Sequence, residues 1–119
     1  ADVYSMLYPG MREQKREKLV VLYLDTKNQV LKEEVVSIGS LNSSIVHPRE
    51  VFKSALMESS ASVIISHNHP SGDPTPSKED ITITEKLIEG GKILGIDVLD
   101  HVIIGDGRYV SLKDEGLVG

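Results

Sequence analysis

The chain has no cysteine and no tryptophan, and only one phenylalanine, in 119 residues. Without cysteine there is no disulfide framework and no thiolate metal site. With so few aromatics the core has to be aliphatic, and runs of Val, Ile and Leu supply it. No apolar run approaches the roughly 20 residues that cross a bilayer as a helix, and no signal peptide is visible, so the expected compartment is the cytoplasm. The chain opens on Ala1 rather than Met, which leads us to expect a piece of a longer protein.

Positive charge is also in short supply. Thirteen Lys and Arg stand against eighteen Asp and Glu, a formal net charge of −5. Such a domain repels phosphate backbones on average, so nucleic acid is not an expected partner. The locally basic run at residues 11–18, MREQKREK, mixes both signs and reads as a solvated face. A length of 119 residues suits one domain, with roughly 65% of the unfolded surface buried on folding.

Residues 2–8 read as a short helix closed by Pro9-Gly10, and we treat residues 1–16 as a helical lead-in to a domain over residues 17–119. Residues 19–24, LVVLYL, predict a strand buried on both faces. A polar turn at residues 25–29 leads to a second strand over residues 30–38, forming a hairpin. A helix enters at His47-Pro48 and runs to Glu58, with Val51, Phe52, Ala55, Leu56 and Ser59 on one face. Residues 61–66, ASVIIS, predict another buried strand, and residues 67–76 a loop rich in Pro and Gly. A helix from Ser77 to about Glu89 follows, with Ile81, Thr84, Leu87 and Ile88 inward and Gly90-Gly91 at its end. Residues 97–104 and 108–112 read as strands about a glycine turn. The alternation gives an α/β or mixed α+β class, and we expect α/β, a mixed sheet flanked by helices.

Chemistry concentrates in residues 66–80, SHNHPSGDPTPSKED. His67 and His69 are two apart, so on extended backbone both imidazoles point one way. Asp80 falls in the first turn of the next helix, where the helix dipole favours the ionised carboxylate. Two His and one carboxylate leave the fourth tetrahedral position free, the arrangement of a catalytic zinc site. The same donors suit non-haem iron, but nothing in the sequence points to an oxygen-activating co-substrate. Ser77 and Asp80 also have the spacing of a helix capping box. Asn68 is expected to hydrogen-bond the loop, and His101 to be a core histidine unless it backs a metal ligand. His47 reads as a helix-entry residue. Asp73, in the middle of the loop, is left out of the ligand set.

His67, one residue, His69, then ten residues and Asp80, with Ser77 three before the Asp, closely resembles the JAMM metal motif of the JAB/MPN metalloprotease superfamily. The wider run HNHPSGDPTPSKED looks like its RadC-like branch. Leu22-Tyr23-Leu24-Asp25, His47-Pro48-Arg49-Glu50 and Leu99-Asp100-His101 extend the likeness from about residue 17 to residue 107. The resemblance implies a cytidine-deaminase-like fold, zinc on His67, His69 and Asp80, and hydrolysis of an amide bond in a peptide or isopeptide. It implies that Ser77 stabilises the oxyanion, a role that competes with capping for its hydroxyl. It also implies a glutamate base near the first strand. Glu17 is the preferred candidate, ahead of Glu33, Glu34 and Glu13. The RadC-like branch carries a DNA-repair association, so the alternatives are a repair-associated module with nucleic-acid contacts elsewhere, or a metal-binding interaction domain without activity.

Overall fold

The computed structural model describes residues 17–38 and 48–117. The expected lead-in helix, the basic run up to residue 16, Glu13 and His47 lie outside the described residues. Five strands form one mixed sheet in the order β2-β1-β3-β4-β5. They are β1 (Lys18–Leu24), β2 (Val30–Ile38), β3 (Ser62–Asn68), β4 (Asp97–Ile104) and β5 (Tyr109–Ser111). Helix α1 (Pro48–Met57) lies between β2 and β3 in the chain, and α2 (Lys78–Leu94) between β3 and β4. Strands β1 and β2 form the expected antiparallel hairpin, β1 also runs antiparallel to β3, and β3 and β4 are parallel. A parallel pair needs a long crossover, and α2 with its preceding loop provides it.

The continuous apolar run of β1 is explained by packing on both sides. Leu19, Val21 and Tyr23 join Val63, Ile65, Val51, Phe52, Ala55, Ile83 and Leu87 on the face that carries both described helices. Val20, Leu22 and Leu24 join Val102 and Ile104 on the opposite face. The family of strands and helices is therefore the expected α/β mixed sheet, with α1 and α2 on the same side of it. Among the described residues no helix is long and apolar enough to cross a membrane.

Several boundaries differ from the sequence reading. Strand β3 continues through His67 and Asn68, which the sequence reading assigned to the loop, because pairing with β1 and β4 persists to those residues. Helix α2 passes through Gly90-Gly91 and stops at Gly95, which takes the left-handed conformation at φ 73°. The glycines are there for close approach: a Cβ on Gly91 would stand 2.2 Å from the Ile96 carbonyl oxygen. In α1, Leu56 is exposed and Ser54 is buried in its place. In α2 Thr84 and Leu87 are buried as expected, but Asp80 and Ile83 join them in place of Ile81 and Ile88, the buried stripe following helical spacing from Asp80 to Gly91.

Candidate metal centre

Sheet register brings the site together. Leu19 of β1 pairs with His67 of β3, so the start of β1 lies beside the end of the strand that carries both histidines. Asn68 ties the two ends: its Oδ1 accepts the Lys18 backbone N–H at 2.8 Å, a strand contact rather than the expected loop contact. His67 points to the helix face of the sheet and is fully buried. His69, just past the strand, has its backbone N–H bonded to the Ile104 carbonyl at 2.9 Å. The following loop is stitched to the β4–β5 turn by the Asp106 N–H donating to the Gly72 carbonyl at 2.8 Å. Gly72 has φ 88°, and a Cβ on Gly105 would lie 2.4 Å from the Gly72 oxygen, so both positions exclude a side chain.

Asp80 reaches the histidines from the other side. The capping box anticipated from the sequence is present: Ser77 Oγ accepts the Asp80 N–H at 3.1 Å, and Asp80 Oδ2 accepts the Ser77 N–H at 2.7 Å. The same carboxylate lies 3.0 Å from His67 Nε2 through Oδ1 and 3.1 Å from His69 Nε2 through Oδ2. One ligand atom from each of His67, His69 and Asp80 falls within 4.8 Å of the others, and among the described residues this group could hold a metal ion. Asp73 is turned away. Its Oδ1 accepts from the Thr75 N–H and hydroxyl, and only its backbone carbonyl reaches toward the site.

Two observations test whether the donors fit a metal. His69 Nδ1 donates to the Asp73 carbonyl at 2.8 Å, and a carbonyl can only accept. Neutral His69 therefore turns a bare Nε2 toward Asp80. His67 Nε2 is buried and has no hydrogen-bond partner, although Asp80 Oδ1 is 3.0 Å away, so the pair is close but not aligned as a hydrogen bond. With both rings neutral, two nitrogen lone pairs and the Asp80 carboxylate converge on one point, an arrangement for a cation, whether a metal ion or the proton that His69 Nε2 shares with Asp80 Oδ2 at 3.1 Å. Two imidazole nitrogens and a carboxylate oxygen are also a donor set that zinc takes.

The electrostatics agree. Burial pushes the Asp80 carboxyl up, but the two imidazoles and the Ser77 N–H outweigh it and hold the acid well below the usual carboxylate range. For His69, burial favours the neutral ring. The hydrogen bonds to Asp80 and to the Asp73 carbonyl, with the charges of Asp80 and Glu17, outweigh burial and raise its pKa. The point between them is one where positive charge is favoured.

A cavity of about 260 Å³ opens over this cluster, lined by Glu17, His69, Pro70, Ser71, Ser77 and Asp80. Glu17 and Ser77 thus face the same space as two of the three candidate ligands. Glu33 and Glu34 do not. They pair with Leu22 and Val21 on a strand separated from β3 by β1, and Glu34 accepts the Ser54 hydroxyl at 2.6 Å. The expected conflict over Ser77 does not arise. Capping uses the hydroxyl oxygen as an acceptor and leaves its hydrogen to donate.

A family model for the RadC-like JAB domain matches residues 1–117. The chain belongs to the RadC-like JAB domain family. The match extends beyond the limits near residues 17 and 107 that the motifs alone suggested. Among curated relatives, a UPF0758 protein of Methanosarcina mazei is 82% identical over 117 residues, covering 98% of this chain and 51% of that protein. A UPF0758 protein of Methanococcoides burtonii is 79% identical over the same shares, and one from the bacterium Desulforamulus reducens is 59% identical, covering 98% of this chain and 52% of its own length. The chain therefore spans about half the length of the curated relatives it matches.

His101 is the site residue that sequence reasoning underrated. It is a core histidine, as expected, but its Nε2 lies 2.7 Å from His67 Nδ1 and its Nδ1 lies 2.5 Å from Thr84 Oγ1. The sequence signal was its position in an apolar strand, where an uncompensated imidazole is costly. Nothing local showed which residue compensates it.

Proposed function

We infer that this RadC-like JAB domain is a zinc-dependent metallohydrolase that cleaves an amide bond, in a peptide or an isopeptide, with His67, His69 and Asp80 as the metal ligands. The observation that carries the reading is the buried His67 Nε2, which has no hydrogen-bond partner and stands 3.0 Å from the Asp80 carboxylate. When bound there, zinc supplies a Lewis acid and lowers the pKa of a coordinated water to about 7.

The remaining chemistry belongs to the chain's own groups. In this reading Glu17, which lines the cavity, is the general base that takes a proton from the attacking water and returns it to the leaving amine. Ser77 holds its hydroxyl at the same cavity with its hydrogen uncommitted to the cap, which suits donation to the developing oxyanion. Asp80 is held rigidly by the capping box, so the carboxylate needs little reorganisation to serve as a ligand.

Metal analysis of the purified protein should give about one zinc per chain, and His67→Ala with His69→Ala should abolish it. Zinc retained in full by that double variant would refute the reading. Against a panel of peptides and Lys-linked isopeptides, Glu17→Gln should keep its zinc and lose about 10²- to 10⁴-fold in rate. The DNA-repair alternative places nucleic-acid contacts outside this domain, whose net charge is −5. Salt-dependent DNA affinity of this domain by itself would argue for direct contact instead.

A further inference from the structure

The groups behind His67 form a circuit that the proposed hydrolysis does not use directly, hydrogen-bonded from Asp80 to His67 and closed at the Asp80 carboxylate by proximity alone. It starts at Asp80, whose backbone carbonyl accepts the Thr84 hydroxyl at 2.7 Å. Thr84 Oγ1 lies 2.5 Å from His101 Nδ1. His101 Nε2 lies 2.7 Å from His67 Nδ1. His67 Nε2 then returns to the Asp80 carboxylate at 3.0 Å. Thr84, His101 and His67 are all fully buried, so water does not compete for these bonds.

The polarity of the circuit follows from one fixed end. A carbonyl oxygen can only accept, so the Thr84 hydrogen is committed to Asp80. Thr84 Oγ1 must then accept from His101, which places the His101 hydrogen on Nδ1. A neutral His101 has its other nitrogen bare, so His67 must donate to it from Nδ1. His67 Nε2 is left with a lone pair, directed at the point it shares with His69 and Asp80. His101 is fully buried, and neither of its ring nitrogens meets a carboxylate, its partners being the Thr84 hydroxyl and the His67 ring, so nothing beside it compensates a charged imidazolium.

The geometry points to Thr84 and His101 as a positioning relay that sets the tautomer of His67 and fixes its Nε2 as a metal ligand. The relay rests on the zinc reading for its purpose, but its polarity can be read without metal. It joins the two ligand-bearing elements through a third: His67 on β3, His101 on β4, and Thr84 one turn after Asp80 on α2. The bond from a ligating histidine's outer nitrogen also raises its basicity and holds the ring plane. Here the outer partner is a histidine and threonine in series in place of a single carboxylate, so the relay adds no negative charge next to Asp80.

The test uses the whole chain in three variants: Thr84→Val, which keeps the shape and removes the hydroxyl, Thr84→Ser, which restores it, and His101→Leu. Two-bond ¹H–¹⁵N correlation spectra of the zinc-free protein, taken above the imidazole titration range, read the tautomer of His67. We expect the proton on Nδ1 in the parent and in Thr84→Ser, and a mixture in Thr84→Val. Zinc affinity by chelator competition should fall about 10- to 100-fold in Thr84→Val and His101→Leu and return in Thr84→Ser. Thermal unfolding of the zinc-free forms separates this from a folding defect, since Thr84→Ser and Thr84→Val can be compared at matched stability. A parent protein with the His67 proton on Nε2, or equal zinc affinity in parent and Thr84→Val, would overturn the relay. A parent with the expected tautomer but no zinc on His67, His69 and Asp80 would instead overturn the zinc reading and leave the relay's polarity standing.

Discussion

Ser77 and Asp80 cap one another: each side chain accepts the other's backbone N–H, at 3.1 Å and 2.7 Å. The same two residues face the cavity that also holds His69 and Glu17. Helix initiation and site assembly are thus one structural event. The box fixes where Asp80 sits before any ligand arrives.

Asp80→Asn keeps a carbonyl oxygen able to accept the Ser77 N–H, and gives up the charge that both the helix start and the two imidazoles favour. The expected loss of stability is at least the about 0.3–1 kcal/mol of the helix start. Asp80→Ala also removes the acceptor and should cost about 1 kcal/mol more. Both should lose zinc. Thermal unfolding of the metal-free proteins, with zinc content measured in parallel, checks the split. An Asp80→Asn protein that binds zinc as the parent does would remove Asp80 from the ligand set.

Ser77 can be dissected in the same way. At an N-cap, Gly costs only a few tenths of a kcal/mol and Ala about 1 kcal/mol. Ser77→Gly should therefore melt near the parent, and Ser77→Ala clearly below it. Neither retains a hydroxyl hydrogen, so both should lose amide hydrolysis, by about 10²- to 10³-fold if the group acts on an oxyanion. Activity that tracks stability across the pair would mean that Ser77 serves the cap alone.

The interior glycine of α2 gives a test of packing against propensity. Gly91→Ala gains up to about 1 kcal/mol of helix propensity. Its new Cβ, however, would stand 2.2 Å from the Ile96 carbonyl oxygen, which cannot move without shifting the entry to β4. We expect a net destabilisation of about 1–3 kcal/mol, seen as a lower urea midpoint. Gly95→Ala meets nothing within 4 Å but sits at φ 73°, and should cost about 1 kcal/mol through backbone strain alone.

Tyr23 makes the fold sensitive to alkali. Burial, with the charge of Glu34, pushes its phenol up from 10.0 to about 12, against a smaller opposing effect of the Ser54 hydroxyl. The folded state therefore favours the neutral phenol, which donates to the Val51 carbonyl at 2.9 Å. This stabilisation is complete below pH 10 and is lost as pH rises through the interval from 10 to about 12. Tyr23→Phe should cost about 1 kcal/mol at neutral pH. The gap between parent and variant should then close across that alkaline interval. Urea unfolding of both proteins over the interval measures it, and a constant gap would contradict the assignment.

The sequence by itself determined the parts that depend on neighbours along the chain. Two-residue spacing aligns His67 with His69 on extended backbone, and three-residue spacing lets Ser77 and Asp80 close a capping box. A run packed on both faces, LVVLYL, already specified a central strand. Alternation of apolar runs and helical patterns narrowed the class to α/β or mixed α+β. Only the tertiary structure decided what depends on sheet register and helix rotation. The pairing of Leu19 with His67 brings Glu17 to the cavity, whereas Glu33 and Glu34 lie across β1 from it. The β3–β4 pairing aligns Ile65 with His101, which puts that imidazole on the helix face one step from His67. Packing of α2 on β4 brings Thr84, inward already by helical spacing, to within 2.5 Å of His101 Nδ1. These contacts join residues 17 or more positions apart, and local spacing carries no information about them. The candidate metal ligands were therefore legible as a pattern, while the groups packed around them became identifiable only once the sheet was assembled.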